Sequence, residues 1–308
     1  MGKVLVIGSL NMDIVQEITR HPQIGETIKS KNTDFLPGGK GANQAIAAAK
    51  SGSEVAIVGA VGNDSFGDKI IDNLRKSHVN VEFVSQNNGS TGMAIIHVDE
   101  SGENSIVLSG GENENLQPSN LPFLKNLLPD YDIVLLQNEI PWASNQFVID
   151  FAYEMGKEIY LNLAPGMVVG DEVLEKITLL ILNETEAEIL SGLKVTSVST
   201  SLKIMEKLIE RGLSEVIITL GENGSVYLNR DNQSIYTPAF RVDPVDTTAA
   251  GDTFIGAYIT ARLNNVDTEG CLEYASAAAS LCVTKRGAQQ SIPTKEEIEM
   301  YLNLFGSR

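Results

Sequence analysis

Short apolar runs at residues 3–8, 54–61, 132–136, 158–161, 179–182 and 215–220 alternate with helical patterns near 41–51, 65–76, 142–155, 185–191 and 201–211. Strands that are apolar along their whole length must be covered on both faces, and the intervening helices supply that cover. The alternation predicts an α/β fold: a central, mostly parallel β-sheet flanked by helices on both faces, joined by right-handed crossovers. In such sheets ligands bind beyond the carboxyl ends of the strands. The residues that follow each run are therefore the first candidates: Asn11 and Asp13, then Gln137, Asn138 and Glu139, then Asn162, then Asn183 and Glu186, then Thr219, Gly221 and Gly224. A polar strand end means little alone. Successive ends bearing amides, carboxylates and hydroxyls fit recognition of a hydroxyl-rich, sugar-like ligand.

Two stretches break the rhythm. Residues 13–36 lack a strong helical period, and 91–111 read as a hairpin with strands at 93–98 and 105–109 around a polar turn. Neither joins a parallel sheet easily. They are expected to form a small separate β-sheet, a discontinuous lid subdomain of about 12–37 plus 91–112, on a single domain spanning 1–308. The tail reads as a short helix over 295–302 and a frayed end.

The chain has 308 residues, with 23 Lys plus Arg against 40 Asp plus Glu, a formal net charge of −17. That balance argues against nucleic acid and anionic membranes as partners. An anionic ligand would have to be held by local devices: helix N-termini, a few placed cations, a metal. Cys271 and Cys282 lie in an apolar helical region and read as reduced thiols, which with a strand-like N-terminus and no long apolar run points to a cytoplasmic protein.

Two motifs carry chemistry. In Val245-Asp246-Thr247-Thr248-Ala249-Ala250-Gly251-Asp252-Thr253-Phe254, small residues lead into one carboxylate and then a helix-like stretch. Free N–H groups at a helix N-terminus attract phosphate, and a carboxylate placed there reads as a base acting on a hydroxyl that attacks the phosphate. In Gly38-Gly39-Lys40-Gly41-Ala42-Asn43-Gln44, glycines allow a close turn, and Lys40 and Asn43 stand at a helix start. There is no G-x-x-x-x-G-K-[ST] loop, and no G-x-G-x-x-G follows the first strand. His21, His78 and His97 lack metal-ligand spacing, and Trp142 reads as packing.

These two motifs resemble the two signatures of the ribokinase-type (PfkB) sugar kinases. The likeness extends in order through Gly8-Ser9-Leu10-Asn11-Met12-Asp13, Asn183-Glu184-Thr185-Glu186, Thr219-Leu220-Gly221-Glu222-Asn223-Gly224 and Gly287-Ala288-Gln289-Gln290-Ser291-Ile292-Pro293, nearest the ribose-phosphorylating branch. The resemblance implies a kinase that uses ATP to phosphorylate D-ribose at O5, giving ribose 5-phosphate and ADP. It implies Asp252 as general base, with the backbone of Ala249, Ala250, Gly251 and Asp252 as anion hole. Asn11, Asp13, Gly39, Lys40, Asn43 and Glu139 would hold the sugar. Asn183, Thr219, Gly221, Gly224, Gly251 and Ser276 would line the ATP site, and Glu186 would organise Mg2+ through water. A monovalent cation, K+, would be held by Asp246, Thr248, Cys282, Lys285, Gly287 and Ser291. Ile255 stands where near relatives usually carry Asn, and Ser276 where His is often found. A homodimer joined through the lid sheets is expected, because exposed sheet edges need covering. The alternatives are the same fold acting on 2-deoxyribose, fructose or a nucleoside, and a non-catalytic sugar-binding protein. The non-catalytic reading would be expected to have lost Asp252 or the small residues before it.

Overall fold

The computed structural model describes residues 2–305. Its main sheet has nine strands in the order β13-β12-β11-β10-β9-β8-β1-β4-β5. In chain order these are β1 (Lys3–Ile7), β4 (Glu54–Gly62), β5 (Val84–Asn87), β8 (Ile133–Gln137), β9 (Glu158–Asn162), β10 (Leu179–Asn183), β11 (Glu215–Thr219), β12 (Ser225–Asn229) and β13 (Ser234–Thr237). Neighbours from β5 across to β11 run parallel, while β12 and β13 add an antiparallel edge. A separate four-stranded sheet, order β3-β2-β6-β7, is built from β2 (Asn11–Glu17), β3 (Asn32–Gly38), β6 (Gly92–Val98) and β7 (Asn104–Ser109).

The helices are α1 (Lys40–Lys50), α2 (Ser65–Lys76), a short α3 (Leu124–Leu127), α4 (Trp142–Glu154), a short α5 (Asp171–Leu174), α6 (Glu184–Ser191), α7 (Val198–Glu210), α8 (Ala250–Leu263), α9 (Thr268–Val283), a short α10 (Ala288–Ser291) and α11 (Lys295–Phe305). Side chains alternate across the main sheet as strand geometry requires. Val4 and Val6 of β1 point into the core beneath α1, α2, α8 and α9. Leu5 and Ile7 point into the opposite core beneath α4, α6 and α7. This two-sided burial explains why the strands read as continuous apolar runs. The expected tail helix runs on to Phe305, and residues 306–308 lie outside the described residues.

Two features of this frame position the site. The strand order reverses direction at β1, with β4 on one side and β8 on the other, which makes a topological switch point beyond their carboxyl ends. There Ser9, after β1, donates from Oγ to Glu139 Oε2, after β8, at 2.6 Å. Helices α1 and α8 also approach closely. A Cβ on Gly256 would lie 2.5 Å from Ala47 Cβ and from the Ala48 nitrogen, so glycine is what lets them touch. Thr260, one turn on, donates to the Ala48 carbonyl at 3.1 Å. That contact brings the N-terminal halves of both helices together over the strand ends.

Candidate active site

Asp252 lies in the first turn of α8 and is buried. The helix starts after Ala249, which holds the left-handed conformation at φ 60°, and no side chain caps it. A non-glycine residue in that region costs about 1 kcal/mol, and the first N–H groups of a helix have no partner within it. The Ala250 N–H donates to the Thr247 carbonyl at 3.3 Å, and the turn at 249–252, with further N–H groups that have no partner within the helix, borders a cleft of about 230 Å³. A Cβ added to Gly251 would meet nothing, so the space in front of the turn is open. The cleft is lined by Ala249, Ala250, Gly251 and Asp252, and also by Lys40, Asn162, Asn183, Glu186, Thr219 and Ile255.

Both oxygens of Asp252 accept hydrogen bonds from α1. Asn43 Nδ2 donates to Oδ2 at 2.9 Å and Gln44 Nε2 to Oδ1 at 2.9 Å. The start of α1 is fixed in turn by Glu139, whose Oε2 accepts from the Lys40 N–H at 3.0 Å. Gly39 sits at φ 90°, and a Cβ there would lie 2.8 Å from the Asn11 nitrogen, which makes glycine necessary at this approach.

Asn11 and Asp13 alternate on one face of β2, both buried. Asn11 Oδ1 accepts from Asn113 Nδ2 at 2.8 Å, and Asn113 Oδ1 accepts from the Leu10 N–H at 2.9 Å. Asp13 is pushed up to about 7, first by burial and then by the charges of Glu139 and Asp252, with Lys40 acting against them. Burial works against the Lys40 ammonium, but Asp252, Glu139, Glu186 and Asp13 outweigh it and raise its pKa. One ammonium facing several carboxylates is a cationic point in a site whose protein is otherwise acidic.

At the other end of the cleft, Asn183 caps α6. Its Oδ1 accepts from the Glu186 N–H at 2.8 Å, while the Glu186 carboxylate accepts from the Asn183 N–H at 2.8 Å and from its Nδ2 at 3.0 Å. The reciprocal arrangement is a capping box. Burial raises Glu186 above the ordinary carboxylate range, with the Asn183 N–H and Lys40 opposing. A carboxylate held from one side keeps lone pairs for a hydrated metal.

Residues 246–248 and 282–291 come together behind the 249–252 turn. Asp246 Oδ1 accepts from the Thr248 N–H and hydroxyl at 2.9 and 2.6 Å, and Oδ2 accepts from the Gly287 N–H at 2.9 Å. Burial pushes Asp246 up, but these donors outweigh it and hold it below the usual range. Cys282 Sγ lies 3.7 Å from the Thr248 carbonyl and 3.0 Å from Ser291 Oγ, and the Lys285 N–H donates to the Cys282 carbonyl at 3.1 Å. Carbonyl, hydroxyl and carboxylate oxygens are the donor set of hard, weakly hydrated cations. No cluster of His, Cys, Asp and Glu able to hold a metal ion occurs among the described residues.

Thr219 ends β11 against the cleft, and Gly221 and Gly224 follow it with positive φ. At Gly224 a Cβ would lie 2.0 Å from the Thr237 carbonyl. Ser276 does not line the cleft; it is buried on α9, with Oγ 3.5 Å from the Pro238 carbonyl. Sequence reading marked Gln137 as one of the polar strand ends but passed over Asn113 and gave no role to Gln44 or Gln289. Nothing in their spacing marks them, because each acts across a long loop of chain.

The pfkB family carbohydrate kinase pattern matches residues 1–295. A ribokinase of Haemophilus influenzae is 38% identical over 98% of this chain and 99% of its own length. A deoxyribokinase of Salmonella typhi is 35% identical over 98% and 99%. The structure of Arabidopsis thaliana ribokinase complexed with ribose and ATP superposes with a TM-score of 0.92 at 34% identity, covering 98% of this chain and 99% of that one. With its whole length matched and its site built on the two glycine-bearing segments at 38–44 and 246–252, the chain belongs to the pfkB family of carbohydrate kinases.

Proposed function

We propose that the protein transfers the γ-phosphate of ATP to O5 of D-ribose, giving ribose 5-phosphate and ADP. The observation that carries this reading is the seat of Asp252. It is a buried carboxylate, held through both oxygens, in the first turn of an uncapped helix facing an open cleft. In that position it takes the proton from the ribose O5 hydroxyl as O5 attacks the γ-phosphorus. The bond from phosphorus to the β-γ bridging oxygen breaks, and ADP departs with its electron pair. The N–H groups of 249–252 receive the negative charge that spreads over the transferring oxygens, and Lys40 supplies the nearest positive side chain.

Asn11, Asp13, Gly39, Lys40, Asn43 and Glu139 hold the sugar. Asn183, Thr219, Gly221 and Gly224 hold the nucleotide, with Ser276 behind the 238 segment beside it. Glu186 fits a water-mediated hold on Mg2+, which when bound neutralises phosphate charge. The carboxylate of Asp246 and the hydroxyl of Ser291, with the backbone carbonyls of Thr248, Cys282, Lys285 and Gly287, would be the oxygens that hold K+, and an ion there would stiffen the turn that carries the anion hole. The small sheet acts as a lid that excludes water, a competing acceptor. Its last strand, β7, is exposed along its whole length, with Ile106, Val107 and Leu108 at 54%, 61% and 52%. A second copy of the chain covers it in a homodimer. No helix among the described residues is long and apolar enough to cross a membrane, and Cys271 and Cys282 are free and buried; a cytoplasmic address fits both.

A second reading, 2-deoxyribose as the acceptor, is favoured by the likeness to the Salmonella typhi deoxyribokinase, almost as strong as that to the ribokinases. ADP release with Mg-ATP and ribose, 2-deoxyribose, fructose or adenosine, with and without K+, separates the readings. Ribose turning over best, stimulated by K+, is the expected result. Inert ribose beside an active second sugar would move the substrate and keep the mechanism.

A further inference from the structure

Asp252 is the terminus of two chains of side-chain amides that run in one direction. On one side Gln137 Nε2 donates to Gln44 Oε1 at 2.7 Å, and Gln44 Nε2 donates to Asp252 Oδ1 at 2.9 Å. On the other, Asn73 Nδ2 donates to Gln289 Oε1, Gln289 Nε2 donates to Asn43 Oδ1 at 3.0 Å, and Asn43 Nδ2 donates to Asp252 Oδ2 at 2.9 Å. The direction has a cause. An ionised carboxylate only accepts, so the amides beside it must present nitrogen, and their oxygens then face outward toward the next donors. The Gln137 chain ends on its own Oε1, which is buried without a partner. A buried polar atom left unpaired is costly, and here the cost falls on an acceptor at the far end rather than beside Asp252.

Gln44 and Gln137 are fully buried and neither lines the cleft. They do not reach substrate. Gln44 also shares its nitrogen with Asn162 Oδ1 at 3.0 Å, which holds its amide plane from a second side. We propose that Gln44 is a positioning residue for the base: locked in one amide orientation by Gln137, it fixes the Asp252 carboxylate in the geometry that accepts the sugar proton, and Gln289 does the same through Asn43. This rests on the reading of Asp252 as the base.

The test is a kinetic cycle on the full-length protein, using whichever sugar the unmodified enzyme phosphorylates best. Gln44→Met keeps length and removes the donor. Gln137→Glu keeps shape and reverses polarity, so that the Gln44 amide turns to donate to Glu and presents its oxygen to Asp252. Each is expected to lower kcat about tenfold or more, the scale of a displaced reacting group, with the KM for sugar within about threefold because neither residue touches it. The double variant is expected to be no slower than Gln44→Met alone, since the two act through one bond. Gln137→Met, which unlocks Gln44 without adding charge, gives an intermediate loss and keeps the cycle decisive if Gln137→Glu does not fold. A kcat within twofold of wild type in Gln44→Met, a rise in KM alone, or losses that multiply in the double variant would overturn the proposal. An Asp252→Asn control separates the levels. If it is slowed by orders of magnitude while Gln44→Met is not, only the positioning role fails. If Asp252→Asn is fully active, the base assignment itself fails.

Discussion

At Asp13 burial and like charge act in the same direction. A carboxyl pushed up to about 7 binds a proton in the folded protein that the unfolded chain, with an ordinary value of 3.8, has already released. Between those values the native state holds more protons, so this residue's contribution to stability falls as pH rises from about 4 to about 7. Thermal melts without sugar should show that slope, and Asp13→Asn should remove that part of it. Under the proposed assignment of Asp13 to the sugar, bound ribose needs the acceptor form. Its affinity should therefore rise as pH passes upward through 7, with a proton released on binding, and calorimetry in buffers of different ionisation enthalpy would count that proton. No uptake or release near neutral pH would show that Asp13 meets the sugar already ionised. Asp252→Asn removes the proton acceptor and sets a donor against one of the two amides, Asn43 or Gln44, that donate to it, so some stability is lost as well. It should cost about two to four orders of magnitude in kcat, the span of general-base catalysis, with a lower melting temperature from the amide left facing a donor.

The elements were legible from sequence wherever one rule governed them. The parallel strands other than β5 showed as apolar runs because both faces are buried, while β5, a polar and mostly exposed edge strand, was missed; α1, α2, α4 and α7 showed through their helical periods. The antiparallel edge, β12 and β13, did not. In β12 the apolar run is only Val226, Tyr227 and Leu228 between two polar residues, and β13 is mostly exposed, so neither stands out as a strand. Of the candidate site, the 246–252 turn and the glycine entry to α1 were visible because each is contiguous in sequence. The amide partners of Asp252 were not, since only the packing of α1 on α8 brings them together. Gly256 is the residue that allows that packing. Gly256→Ala should overpack the helix contact and cost about 1–3 kcal/mol, seen as a lower urea midpoint at unchanged slope. It should also lower kcat by moving Asp252 off its amides. An unaffected midpoint would mean that the helices separate freely.

At the scale of the whole molecule, the small sheet leaves apolar surface in the open. Cross-strand partners share a face, and β6 pairs Ala94 with Leu108 and Ile96 with Ile106. Through β2, which pairs Asp13 with Ala94 and Val15 with Ile96, those residues lie on the face that carries Asn11 and Asp13. The surface expected to meet the second copy therefore adjoins the sugar site. Replacing Ile106 and Leu108 together by Lys should give a monomer by light scattering at micromolar concentration and should weaken ribose binding. A dimer that persists would place the interface elsewhere. The seat of Asp252 bears on synthesis as well. Its partners at 43 and 44 are made early and Asp252 late, and Lys50 donates to the carbonyls of Gln289 and Ile292 near the chain's end, at 3.2 and 2.8 Å. Contacts of such sequence separation form slowly and only when both partners are available. Until the segments that carry Asp252 and Gln289 have both been made, the seat proposed for the base cannot assemble around Asn43 and Gln44.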